Sequence, residues 1–187
     1  IVDNYNEKII VDKIVLATHA DQSLSLLEQP SEKEKKILSK FQYSKNTAYL
    51  HSDIKLMPRE NSAWSSWNFI GNTINDENFS LTYWMNLLQK IQGYKNFFVS
   101  INPIIEPDFF YDHTIFEHPI FNLDTILAQK NISEIQGHLN TYYCGSYCGY
   151  GFHEDGIQSA AYVADLLAVK IPWDRPSNFF NRLQFKD

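Results

Sequence analysis

The stretch over residues 142–167, YYCGSYCGYGFHEDGIQSAAYVADLL, constrains this chain more than any other. A short strand expected over 138–144 ends in a glycine-rich turn, Gly145-Ser-Tyr-Cys-Gly149-Tyr-Gly151, which feeds a helix expected over 155–169. Gly156, Ser159, Ala160, Ala161 and Ala164 give that helix a face of small residues. Glycines let a backbone approach a ligand closely, and the start of a helix presents unpaired N–H groups and a positive dipole end. Such an element suits an anion or an electron-rich carbonyl. A tight strand-to-helix connection, closely packed through its small residues, accounts for the same pattern equally well. The residues alone leave both readings open.

The rest of the chain alternates between two textures. Residues 8–17 (KIIVDKIVLA) form an apolar, β-branched run of the kind that makes a buried strand. Leucines at helical spacing follow over 23–27. Ser31 with Glu34 three residues later is a capping box opening a helix expected to reach Ser39. Segments 41–50, 62–70 and 79–86 are then rich in aromatic and β-branched residues, with Asn and Gly clustered at Gly71-Asn72 and Asn75-Asp76. They predict an antiparallel meander, with 97–101 as a further strand. Residues 113–121 read as extended. Residues 123–135 (LDTILAQKNISEI) read as a helix capped by Asn122 or Asp124. Pro172 is expected to end the last helix, and the tail beyond Trp173 to be irregular and mobile.

At 187 residues the chain suffices for one domain or two small ones and should bury about 70% of its unfolded surface. With 44% hydrophobic and 20% charged residues it has the composition of a soluble globular protein. Aromatics at 15% suit either an aromatic-lined sheet or pocket or a heavily packed core. A net charge of −6 argues against a nucleic-acid partner. No apolar run approaches the roughly 18 residues of a membrane span. Residues 1–10 are polar and extended, unlike a signal peptide. A first residue of Ile1 in place of Met predicts processing or a piece of something longer. Two cysteines, Cys144 and Cys148, are too few for a disulfide scaffold, and a reducing cytoplasm is the expected location.

Against this background, the 142–167 string resembles the C-terminal flavin-contacting segment of flavin-containing amine oxidases and their predicted NAD/FAD-binding relatives. In that family a strand ends in a glycine and a polar residue beside the cofactor, and a small-residue helix then starts under the flavin ring. Cys144-Gly145-Ser146 and Asp155-Gly156-Ile157 occupy those two places. VDKIVLATHADQSLSLL resembles the strand and helix that re-enter the flavin domain. YLHSDIKLMPRENSAWSSWNF, LTYWMNLLQKIQG and FVSINP resemble substrate-domain strands, and HPIFNLDTILAQKNISEIQG resembles the segment leading back to the flavin. The similarity spans about residues 9 to 169, and GFHEDG is its most specific part.

The resemblance implies an α+β chain. A mixed or antiparallel sheet over 31–137 would be the substrate domain. Residues 1–30 and 138–171 would be returning pieces of an FAD-binding, Rossmann-like α/β domain, with 172–187 as a tail. It implies an oxidoreductase taking hydride from a small-molecule C–N or C–C bond to FAD, with Gly145, Ser146, Gly156 and Ile157 as cofactor neighbours. Phe152 and His153 would lie against the flavin face as candidates for a catalytic role. The family's N-terminal βαβ unit, whose G-x-G-x-x-G turn grips the pyrophosphate, has no counterpart here, because the first glycine is Gly71. The missing FAD-binding half is therefore an expected partner, and this chain alone is expected to be inactive. Ser146 also replaces the family's usual acidic residue, which weakens one ribityl or phosphate contact.

Other chemistries find less support. Six histidines invite a metal site, but no H-x-x-x-H, H-E-x-x-H or paired C-x-x-C spacing occurs, so none is expected. Cys144 and Cys148 form C-x-x-x-C and read as two buried thiols, with a loop disulfide as the alternative. His51-Ser52-Asp53 is no triad, since neighbours on a strand face opposite ways. Trp64 and Trp67 read as core or pocket wall. The remaining reading is a non-catalytic binding or oligomerisation module, or a proteolytic fragment without cofactor.

Overall fold

A computed structural model describes residues 1–3, 5–71 and 79–185. The expected turn residues Asn72, Asn75 and Asp76 lie outside the described residues. The fold is mixed α and β, with one five-stranded sheet and one small parallel sheet. The chain divides into two compact units, Ile1–Tyr43 with Pro119–Asp187, and Ser44–His118. The boundaries expected from the sequence are 30/31 and 137/138. They move because the helix after the capping box and the segment after Pro119 bury their apolar residues with the first unit.

That first unit holds β1 (Ile14–Leu16), α1 (Ala20–Leu26), α2 (Glu32–Leu38), α4 (Leu123–Lys130), β7 (Thr141–Tyr143) and α5 (His153–Leu166). β1 and β7 run parallel, pairing Ile14 with Thr141 and Leu16 with Tyr143. β1 is far shorter than the apolar run 8–17. A strand extends only as far as a partner offers backbone groups, and β7 offers three residues before Gly145. Ile10, beyond the pairing, is 98% exposed. The interior gathers Leu16, Ile37, Leu38, Phe41, Ile132, Ile135, Tyr143, Tyr147 and Leu183.

The capping box forms as read: the Glu34 amide donates to Ser31 Oγ (3.3 Å) and the Ser31 amide to Glu34 Oε2 (2.7 Å). The Glu34 side chain is buried, and its Oε1 accepts the Tyr143 hydroxyl at 2.6 Å. Asn122, not Asp124, caps α4 by accepting the Thr125 amide. The α-helix stops at Lys130, and Ile132–Ile135 continue as a 3-10 turn after Asn131. α5 begins at His153 and ends at Leu166, earlier than the 155–169 expected, and the left-handed Ala168 (φ 55°) turns the chain well before Pro172.

The second unit is built on the five-stranded sheet, in the order β3 (Trp67–Gly71), β4 (Phe79–Trp84), β5 (Phe98–Ile101), β2 (Gln42–His51) and β6 (Phe110–Ile120). The pairings β3–β4, β4–β5 and β2–β5 are antiparallel, so the meander holds over three strands and β2 is added beside β5. The segment 62–70 becomes strand only from Trp67. The Asn68 side chain instead binds the Ser65 amide and carbonyl, curling the chain just before it. The run 79–86 turns into a short helix, α3 (Met85–Gln89), where Asn86 takes the Phe97 amide and donates to Lys95 O.

Candidate functional site

In the first unit, β7 ends at Tyr143 and the Cys144 amide donates to Leu16 O (3.1 Å), carrying the parallel ladder to the edge of the turn. Ser146–Cys148 form a 3-10 turn, and α5 begins after Phe152. Ser159, nearly two turns into α5 and fully buried, ties the two glycines together. Its Oγ accepts the Gly145 amide at 2.9 Å and lies 3.1 Å from Gly145 O and 2.9 Å from Gly156 O. Gly145, Ser146 and Gly156 are thereby brought to one place. A Cβ built on Gly156 would meet nothing nearer than the Ser146 amide at 3.9 Å. An alanine side chain would thus fit at Gly156 in ordinary contact with the Ser146 backbone.

Gly145 is constrained differently. A Cβ there would fall 2.7 Å from the Tyr147 ring, which is buried in the core. Gly145→Ala should therefore lower stability by about 1–3 kcal/mol, read by urea unfolding. A loss below about 0.5 kcal/mol would show that Tyr147 yields without cost.

Ile157 stands one residue beyond Gly156, half exposed. Phe152 and His153 begin the helix and are exposed; the Phe152 ring stacks on the Arg182 guanidinium (5.6 Å). On its other side the helix start is closed by the protein itself. Asp155 Oδ2 accepts the Phe152 amide (2.7 Å), and Asp155 is fully buried against Gly149. Arg182 Nε donates to Asp155 Oδ1 at 2.7 Å. Sequence reasoning missed this pair. An acid three residues after a cap position is a visible signal for Asp155, whereas nothing local marks Arg182. The tail expected to be mobile packs back through Leu183.

Cys144 and Cys148 are buried free thiols, and burial raises both pKa values. Among the described residues no group of three or more His, Cys, Asp or Glu is placed to hold a metal ion.

In the second unit, one sheet face carries buried polar side chains, and the segment 52–66 crosses it. His51 Nε2 lies 2.8 Å from Ser100 Oγ, and Ser100 Oγ lies 2.7 Å from Thr82 Oγ1. His51 thus meets a serine, though not Ser52. Its Nδ1 accepts the Asp53 amide (3.1 Å), so Nε2 carries the proton and donates to Ser100. A histidine in that tautomer cannot take a proton from Ser100. The row is a structural network, and burial lowers the His51 pKa against the opposing pull of Asp53. Trp64 covers this face against Trp84 and Phe98.

The opposite face carries Trp67, Tyr83, Val99 and Leu50 in one cross-strand row and Phe69, Leu81, Ile101 and Ala48 in the next. Trp67 is 57% and Phe69 69% exposed. A shallow cleft of about 210 Å³ opens beside Ala48, Leu50 and Val99, with His113 and Phe116 as its other wall. No helix among the described residues is long and apolar enough to cross a membrane. No protein-family model matches this chain, and no curated protein sequence matches it.

Proposed function

We propose that this chain is the C-terminal part of an FAD-dependent oxidoreductase of the flavin-containing amine oxidase type. The observation that carries the reading is Gly156 itself, in the first turn of a 14-residue helix, where an added Cβ would meet only the Ser146 amide nitrogen, at an ordinary contact distance of 3.9 Å. A planar, electron-rich ring edge suits the Ser146 and Gly156 side of the helix start, away from the Asp155 carboxylate that caps the Phe152 amide. The parallel β1–β7 pair supports a Rossmann-like origin, since two three-residue parallel strands bury too little to stand alone and such sheets occur with further strands and helices.

The bound flavin would accept hydride from a small-molecule C–N or C–C bond. The residues of this chain position it. Gly156 keeps the helix end clear, Ser159 holds the two glycines in register, and Ser146 offers its amide. Phe152, His153 and Ile157 border the same helix start. The pyrophosphate grip would come from a partner half carrying G-x-G-x-x-G. The test is Gly156→Val in the full-length protein. A Cβ at Gly156 makes only ordinary contact with the Ser146 amide nitrogen (3.9 Å), so Gly156→Ala, measured beside it, should keep both fold and most flavin, while flavin content in Gly156→Val falls about tenfold or more. Flavin absorbance relative to protein measures it, and unchanged content rejects the placement.

A second reading, a non-catalytic binding or oligomerisation module, is favoured by the uncovered Trp67 and Phe69. It would be selected by a colourless protein whose self-association disappears in the variant carrying both Trp67→Ser and Phe69→Ser.

A further inference from the structure

The tail after α5 returns to the turn that opens the same helix. Phe180 and Phe185 set their rings edge-on to Tyr162 of α5 at 6.2 and 5.1 Å, and Leu183 is buried. Between these anchors, the Arg182 amide donates to Gln158 Oε1 at 3.1 Å. Its side chain donates to both oxygens of Asp155, from Nε to Oδ1 (2.7 Å) and from Nη2 to Oδ2 (3.3 Å). The guanidinium also stacks on the Tyr150 ring at 5.1 Å. The turn is held from a third side by Gln129, whose Nε2 donates to Tyr147 O (2.8 Å) and Gly149 O (2.5 Å). A Cβ on Gly149 would collide with Asp155 and with the Arg182 carbonyl.

Asp155 has two effects that Arg182 must balance. Its carboxylate is fully buried, a state that persists only with a charged or hydrogen-bonded partner. It also places a negative charge at the positive end of α5, where it opposes any electron-rich ligand arriving at Gly156. The guanidinium answers both, by pairing the buried charge and by cancelling its field at the helix end.

We infer that Arg182 is a positioning residue for the cofactor-facing turn. The tail acts as a strap that, through Asp155, fixes residues 149–152 and keeps the start of α5 electrostatically open. The electrostatic half rests on the flavin reading above; the strap itself does not. It is tested in the full-length protein with Arg182→Gln, Arg182→Lys and, as a control on the tail, Arg175→Gln, whose native side chain pairs with Asp165 and lies over the Phe180 ring without reaching Asp155.

Amide exchange over residues 149–156 should quicken about tenfold or more in Arg182→Gln, as expected for loss of a partly buried ion pair. It should stay quickened in Arg182→Lys, whose ammonium cannot reproduce the two-pronged, ring-stacked contact, and be unchanged in Arg175→Gln. In flavin-loaded protein, Arg182→Gln should also lower the midpoint potential, because the reduced anionic ring loses a compensating charge, and Arg182→Lys should recover it. Unchanged exchange in Arg182→Gln overturns the strap. An unchanged potential overturns the electrostatic half. If the wild-type protein binds no flavin, the flavin reading fails with the electrostatic half, and the exchange result decides the strap alone. Should Arg182→Gln not fold, adding Asp155→Asn removes the buried charge together with its partner. Recovered folding then supports the pairing, and no recovery overturns it.

Discussion

Phe98→Ala is expected to destabilise the second unit by about 3–5 kcal/mol, the range for deleting a fully buried phenylalanine. Phe98 is buried in β5, between β4 and β2, with the rings of His51 and Trp64 at 5.6 and 5.7 Å. Removing it leaves a void whose walls cannot close easily. The His51–Ser100–Thr82 hydrogen bonds hold one side, and Trp64 is pinned by its indole N–H to Pro58 O (2.8 Å). Trp64 and Trp84 lie edge to face at 5.3 Å, so tryptophan fluorescence reports this unit directly during urea unfolding. A loss below about 1 kcal/mol would mean that the segment 52–66 does not cover this face as described. Phe98→Leu, which keeps most of the volume, should cost far less.

Glu34→Ala should cost about 2–4 kcal/mol, combining loss of one arm of a capping box with a buried hydroxyl left without its acceptor. The orphaned group is Tyr143, whose ring is fully buried and whose own pKa is pushed upward by burial and by Glu34. The effect should depend on pH. Burial raises the Glu34 pKa, but the bonds from Tyr143 and from the Ser31 hydroxyl and amide outweigh it and hold the carboxyl below its ordinary value. A folded pKa below the unfolded one contributes stability that is present above the unfolded value, about 4.3, and is lost as pH falls through the folded value. The stability gap between wild type and Glu34→Gln should therefore be widest near neutral pH and narrow in acid. A gap independent of pH would show that Glu34 acts through packing alone.

These two sites show which information was local. Ser31 and Glu34 announce their helix because a capping box is satisfied within four residues, and Asn122 announces α4 in the same way. β2, β4 and β5 were legible as aromatic and β-branched runs, and most of β6 as an extended stretch. Their pairing order was not, because β2 lies beside β5 through hydrogen bonds between segments some fifty residues apart, which no short pattern encodes. The run 8–17 misled for the same reason. Its β-branched residues favour a strand, but only the length of β7 decides how many of them are paired.

The candidate site divides along the same line. Glycines 145 and 156 and the helix that follows were readable because backbone freedom and helix start are written in adjacent residues. That Gly145 faces the Tyr147 ring, that Gly156 faces the Ser146 amide, and that Ser159 joins them became visible only once the strand and helix were set side by side. Asp155 was seen as part of a motif, and its burial and pairing with Arg182 were not. The sequence by itself determined the local elements, because capping, periodicity and turn chemistry act over a few residues. Tertiary structure decided the partners of each strand, the burial of charge and what packs around the helix start, because those depend on contacts between residues far apart in the chain.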